Sequence, residues 1–71
     1  MTMTYSQWIR VEDYVRRDHP ELAQEVGDKL RRWTAQRGEE PLLRTKITLH
    51  LSSEAAHRLC LDAYNQTRRS R

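Results

Sequence analysis

Residues 43–51 read Leu-Arg-Thr-Lys-Ile-Thr-Leu-His-Leu and alternate without a break. Leu43, Thr45, Ile47, Leu49 and Leu51 fall on one side of an extended chain, and Arg44, Lys46, Thr48 and His50 fall on the other. Period two with β-branched residues predicts a strand over 43–51. No other segment shows this pattern. A lone strand leaves its main-chain donors and acceptors unpaired, so a partner strand has to exist. Two sources are open, the N-terminal Met-Thr-Met-Thr-Tyr segment or a second copy of the chain.

Size bears on that choice. A 71-residue chain is one small domain. Domains this short bury only about 60% of the surface their unfolded chains expose and commonly lean on a staple or a partner. The single cysteine, Cys60, forms no bridge within the chain. The expectation is therefore an α+β domain of order helix, helix, strand, helix, dimerised through its single strand. Ile47, Leu49, Leu51 and Leu59 would form the interface. With 37% hydrophobic and 32% charged residues, the chain is polar but lies outside the disordered class. Apolar runs stop at two or three residues, which leaves no membrane-spanning helix and no signal-peptide core. An unpaired cysteine suits a reducing compartment, so the expected location is the cytoplasm.

The rest of the chain reads as helix. Trp8, Val11 and Val15, with Tyr14 beside them, make an apolar stripe over residues 6–17. Thr4 or Ser6 can cap this helix, and Thr4 and Gln7 have the spacing of a capping box. Pro20 disfavours a helical His19 and ends that helix. Asp18 and Glu21 repeat the capping-box spacing for a second helix over 20–36, whose stripe is Leu22, Val26, Leu30 and Trp33. Both tryptophans are expected in the core, the alternative being an exposed anchor for a partner protein. Gly27 weakens the second helix, and Gly38 is placed to end it. Residues 1–37 thus form a helical hairpin, 38–42 a linker, and 43–71 a strand followed by a third helix. Ser52 or Ser53 caps the third helix, Ala55, Ala56, Leu59, Cys60 and Ala63 line it, and its end is expected to fray.

Charge is unevenly placed. Residues 1–42 carry seven Lys/Arg and eight Asp/Glu, whereas residues 43–71 carry six and two, a net of +4. A basic segment of this kind points to a polyanion, and nucleic acid is the commonest one. Arg44, Lys46, Thr48 and His50 offer hydrogen-bonding groups on one strand face. Ser52 and Ser53 follow at the turn, and Arg68, Arg69 and Arg71 form a basic end.

The stretch Lys-Ile-Thr-Leu-His-Leu-Ser-Ser-Glu-Ala-Ala-His-Arg-Leu resembles the opening of ribbon-helix-helix DNA-binding proteins. The resemblance covers the strand and one helix, residues 44–66, and no second helix is read after them. It implies that strands from two chains pair into a ribbon that enters the major groove of DNA. Lys46, Thr48 and His50 would then meet base edges, with Arg44 at the rim, and Ile47, Leu49 and Leu51 would face the dimer core.

Other chemistry finds little footing. His57 and Cys60 stand at i and i+3 with His50 as a third possible ligand, but structural zinc asks for four ligands, usually rich in cysteine. No metal or cofactor is expected. The glycines are isolated, so there is no phosphate-binding loop, and the carboxylates alternate with arginines as solvated pairs do. An enzyme is not expected. The function expected is that of a small DNA-binding regulatory or accessory protein. The alternative is a small protein-binding inhibitor or adaptor from a mobile element, acting on a host protein.

Overall fold

A computed structural model describes residues 1–69 of the chain, and the side chains of residues 1–68. It shows a small α+β domain in the order β1 (Thr2–Thr4), α1 (Tyr5–Asp18), α2 (Pro20–Arg37), β2 (Lys46–Thr48) and α3 (Glu54–Arg69). The sheet is a two-stranded antiparallel ribbon in which Thr2 faces Thr48, Met3 faces Ile47 and Thr4 faces Lys46. The expected order lacked β1, and the partner strand comes from the N-terminus of the same chain. This removes the physical motive for a dimer built on a lone strand. β2 is also shorter than the 43–51 expected. The alternation continues on both sides, but only three residues make the ladder.

α1 organises the molecule. Its capping box forms as read: the Gln7 amide donates to Thr4 Oγ1 at 3.2 Å, and the Thr4 amide donates to Gln7 Oε1 at 2.8 Å. Gln7 Nε2 also donates to the Tyr64 hydroxyl at 2.9 Å, which ties this cap to α3. Trp8, Val11 and Val15 are fully buried on the inward side. The Trp8 indole N–H donates to the Ile47 carbonyl at 3.2 Å, joining helix to ribbon.

His19 alone separates α1 from α2, with φ −138° and ψ 66°. Pro20 then opens α2, where a missing N–H costs nothing. The capping box expected between Asp18 and Glu21 does not form. His19 occupies the cap, and no side chain bonds to the helix start. α2 returns along α1 through Leu22, Val26 and Leu30. A β-carbon at Gly27 would lie 2.9 Å from the Glu12 carboxylate, so this glycine marks the close approach of the two helices. Gly38 ends α2 with φ +76°, in the left-handed region that glycine adopts without strain.

Ser53 caps α3, accepting from the Ala56 amide at 3.1 Å. The fully buried side chains of α3, Ala56, Cys60 and Ala63, are small, and α3 lies against α1. The core therefore sits between α1, the inner face of the ribbon, α2 and α3. Ile47, Leu49 and Leu51 belong to it and are buried within a single chain. They do not supply the intermolecular surface expected of them. Leu59 is half-buried against the same core. Trp33 is half-buried too, stacked near Tyr5 with Arg37 over its ring at 4.6 Å.

Candidate nucleic-acid interface

The outer face of the ribbon follows from the pleat. Since Ile47 points inward, its neighbours Lys46 and Thr48 point outward, and both are exposed. Arg44 and His50, two residues beyond on either side, are exposed as well. Lys46 and Thr48 thus share the outer face of β2 with His50 just beyond it, whereas Arg44 is exposed in the turn that precedes the strand. β1 adds Thr2, whose hydroxyl shares a 2.7 Å hydrogen bond with that of Thr48. Sequence reading missed Thr2 because a three-residue strand of alternating Met and Thr carries too little pattern to stand out. Among the described residues, no carboxylate forms an ion pair with Arg44 or Lys46.

The main chain of β2 is shared between two edges. The Tyr5 amide donates to the Thr45 carbonyl at 2.8 Å, and the Leu49 amide donates to the Met1 carbonyl at 3.4 Å. These bonds flank the ladder and turn the odd-numbered residues toward β1. In an antiparallel pair the alternate residues then direct their N–H and C=O groups to the other edge, so Lys46 and Thr48 line the open side. This edge is short and carries a lysine, the usual means of discouraging pairing with another strand.

Beside that edge lies a shallow groove of about 230 Å³ between α2 and the end of β2. Lys29, Arg32 and Gln36 line it from the helix and Thr48 and His50 from the strand. Lys29 Nζ donates to the His50 carbonyl. The α2 residues recur at i, i+3 and i+7, a helical face that the sequence displays, but its position beside the strand is set by tertiary packing. The basic surface therefore extends beyond residues 43–71.

Other expected contacts are engaged elsewhere. The Ser52 amide and hydroxyl both donate to the Glu25 carboxylate, at 2.5 and 2.8 Å. These two bonds hold the Glu25 pKa below its usual value. Ser52 is thus a latch between α2 and the segment leading into α3, and Ser53 is spent on the cap. Arg68 stacks over the Tyr64 ring at 5.7 Å, on α3. Arg69 closes α3, its side chain is not among those described, and Arg71 lies outside the described residues.

A groove of about 940 Å³ runs between α1 and α3. Arg10, Arg17 and Arg68 line it together with Asp13 and Asp18, so its charge is mixed. Partial burial and the adjacent Asp18 carboxylate raise the Tyr14 phenol pKa there. Among the described residues, no group of three or more His, Cys, Asp or Glu side chains is placed to hold a metal ion. Cys60 is fully buried, and burial, with the Glu25 charge, pushes its thiol up to about 11. No described helix is long and apolar enough to cross a membrane. No family model, curated protein or solved structure matches the chain.

Proposed function

We propose that this chain binds duplex DNA through the outer face of its β1–β2 ribbon and serves as a small cytoplasmic regulatory or accessory protein. One observation carries the reading. Lys46, Thr48 and His50 stand exposed along the outer side of β2, Arg44 is exposed in the turn before it, and neither Arg44 nor Lys46 is paired with a described carboxylate. A major groove about 12 Å wide admits a two-stranded ribbon. Lysine and arginine donate to guanine O6 and N7, and threonine bonds either way with base edges. The reading keeps one feature of the ribbon-helix-helix resemblance, alternate strand side chains laid on bases. It takes both strands from one chain.

This choice bears on oligomeric state. Two chains paired along the open edges of β2 would make a four-stranded sheet with outer strands about 14 Å apart, wider than that groove before side chains are counted. The DNA reading therefore requires a chain that binds without strand-to-strand dimerisation.

A salt titration of binding to random duplex tests the reading. Affinity should fall steeply with salt, because each neutralised phosphate releases counterions. Indifference to salt, or no binding at low ionic strength, refutes it. The second reading, a protein-binding inhibitor or adaptor, has one observation in its favour. Leu42 and Leu43 are exposed side by side. A stoichiometric protein partner recovered without any DNA binding would establish it instead.

A further inference from the structure

Leu42 and Leu43 are 74% and 64% exposed, more than any other large hydrophobic residue described. The alternation of 43–51 expects Leu43 on the inward side, yet the chain turns it out. The turn is held in place. The Thr45 amide donates to the Leu42 carbonyl at 2.9 Å, and the Ser6 amide donates to the Leu43 carbonyl at 3.0 Å. The Tyr5 amide holds the Thr45 carbonyl on the next residue but one. Two large apolar side chains are therefore presented on a backbone fixed to the start of α1, immediately before the strand that carries Lys46. Arg44 stands in the same turn and is exposed.

We infer that Leu42 and Leu43 read thymine methyl groups at the rim of the ribbon's DNA site, giving a preference for A·T pairs there. This rests on the DNA reading above. Every hydrogen-bonding feature of the major groove is matched in kind by the ammonium, hydroxyl and imidazole groups of the outer face and the guanidinium of the turn before it. The groove offers one apolar feature, the C5-methyl of thymine. The two leucines are the apolar groups at this end of the ribbon, and their flanking cations suit a polyanion. A protein partner is less well matched. Stable protein interfaces bury about 800 Å² on each side, and two leucines bordered by Arg44 and Lys46 make a far smaller apolar patch.

Uracil supplies the test, because it keeps every hydrogen-bonding group of thymine and lacks only the methyl. The full chain is titrated with A·T-rich duplexes of one sequence, built with thymine or with uracil. Wild type should lose about fourfold in affinity for each contacted methyl, the effect of burying one such group. The Leu42→Ala/Leu43→Ala double variant should bind both duplexes alike and keep the wild-type dependence on salt. Lys46→Ala should do the opposite, keeping the thymine preference. If wild type binds both duplexes equally, the methyl-reading role is overturned and the DNA reading stands. If wild type binds neither at low salt, both are overturned. A parallel titration uses vesicles of phosphatidylserine and phosphatidylcholine. Vesicle binding that the double variant loses, with thymine and uracil bound alike, would assign the leucines to a lipid surface and overturn the inference.

Discussion

The two sides of β2 differ in how far their groups are satisfied. Inward, Ile47 is 1% exposed and its carbonyl accepts the Trp8 indole N–H, with Leu49 and Leu51 buried beyond it. Outward, Lys46 and His50 project side chains with no described hydrogen-bond or ion-pair partner, Thr48 has only Thr2, and Arg44 is exposed in the preceding turn. Consecutive residues of one strand thus carry separable duties. Substitutions on the inner side should change stability, and those on the outer side should change binding and leave the fold intact. Each prediction below is a way to break that division.

The largest effect is expected at Trp8, which joins α1 to the inner side. It is fully buried, and truncation removes both its packing and its bond to Ile47. Trp8→Ala should cost ~3–5 kcal/mol, measured by urea denaturation. Whole domains have stabilities of only about 5–15 kcal/mol, so much of the population could unfold. A loss below ~1 kcal/mol, nearer the value for an average mutation, would mean that the inner side is not the structural one.

The same division explains what the sequence disclosed. α1 and α2 were legible because their stripes extend over several turns, and the Thr4–Gln7 box lies beside the first of them. The outward placement of Lys46 and Thr48 was legible because a strand's pleat is local, but the alternation fails at Leu43 and Arg44, which lie in a turn. What could not be read was the identity of the pairing strand. β1 is three residues long, and its place opposite β2 depends on the path of α1 and α2 between them. The same cause hid the fate of Ile47, Leu49 and Leu51. Alternation shows that they share a face, but only the topology decides whether that face meets its own helices or another chain. Ser52 misled for a related reason. A serine before a helix reads as a cap, whereas its partner Glu25 is 27 residues away.

The next effect concerns Cys60, which lies in the core on α3. Its thiol titrates at about 11, above the ordinary value of 9.0, through burial and then through the Glu25 charge. A group with a raised folded value contributes stability that is complete below the unfolded value and is lost as pH rises toward the folded one. Stability of the wild type should therefore decline from about pH 9 to 11, and Cys60→Ala should show a flatter profile over this range. The native thiol should also resist alkylation at pH 8 and react once the chain is unfolded in urea. Rapid native alkylation would show that α3 opens readily and that the core extends less far than described.

A smaller effect is expected at Glu25, which couples α2 to the end of the inner side. Its lowered pKa arises from the Ser52 hydroxyl and amide. Stability from such a group is present above the unfolded carboxylate value and disappears as pH falls through the folded one. Glu25→Gln should cost about 1 kcal/mol near neutrality, as for a typical hydrogen bond. It should also lessen the loss of stability as the wild type is acidified below the ordinary Glu value of 4.5. Equal acid sensitivity of wild type and variant would dissolve the latch.

The smallest effect on stability, and the most direct test of the division, belongs to Lys46. Its side chain is exposed, pairs with no described carboxylate and lies one residue from Ile47. Lys46→Ala should change stability by less than ~0.5 kcal/mol, as exposed sites do. Alanine keeps the main-chain hydrogen bonds of β2, so the ribbon should persist. If the lysine contacts one phosphate, the slope of log affinity against log salt should fall by about 0.9. If it donates to a guanine instead, the variant should lose ~1–3 kcal/mol of discrimination at one base pair with its slope nearly unchanged. The two outcomes assign different jobs to the residue, and both keep the outer side as the binding side. A variant that loses stability yet binds random duplex with wild-type affinity and slope would reverse the division. Lys46 would then be a structural residue, and the DNA reading would lose its central cation.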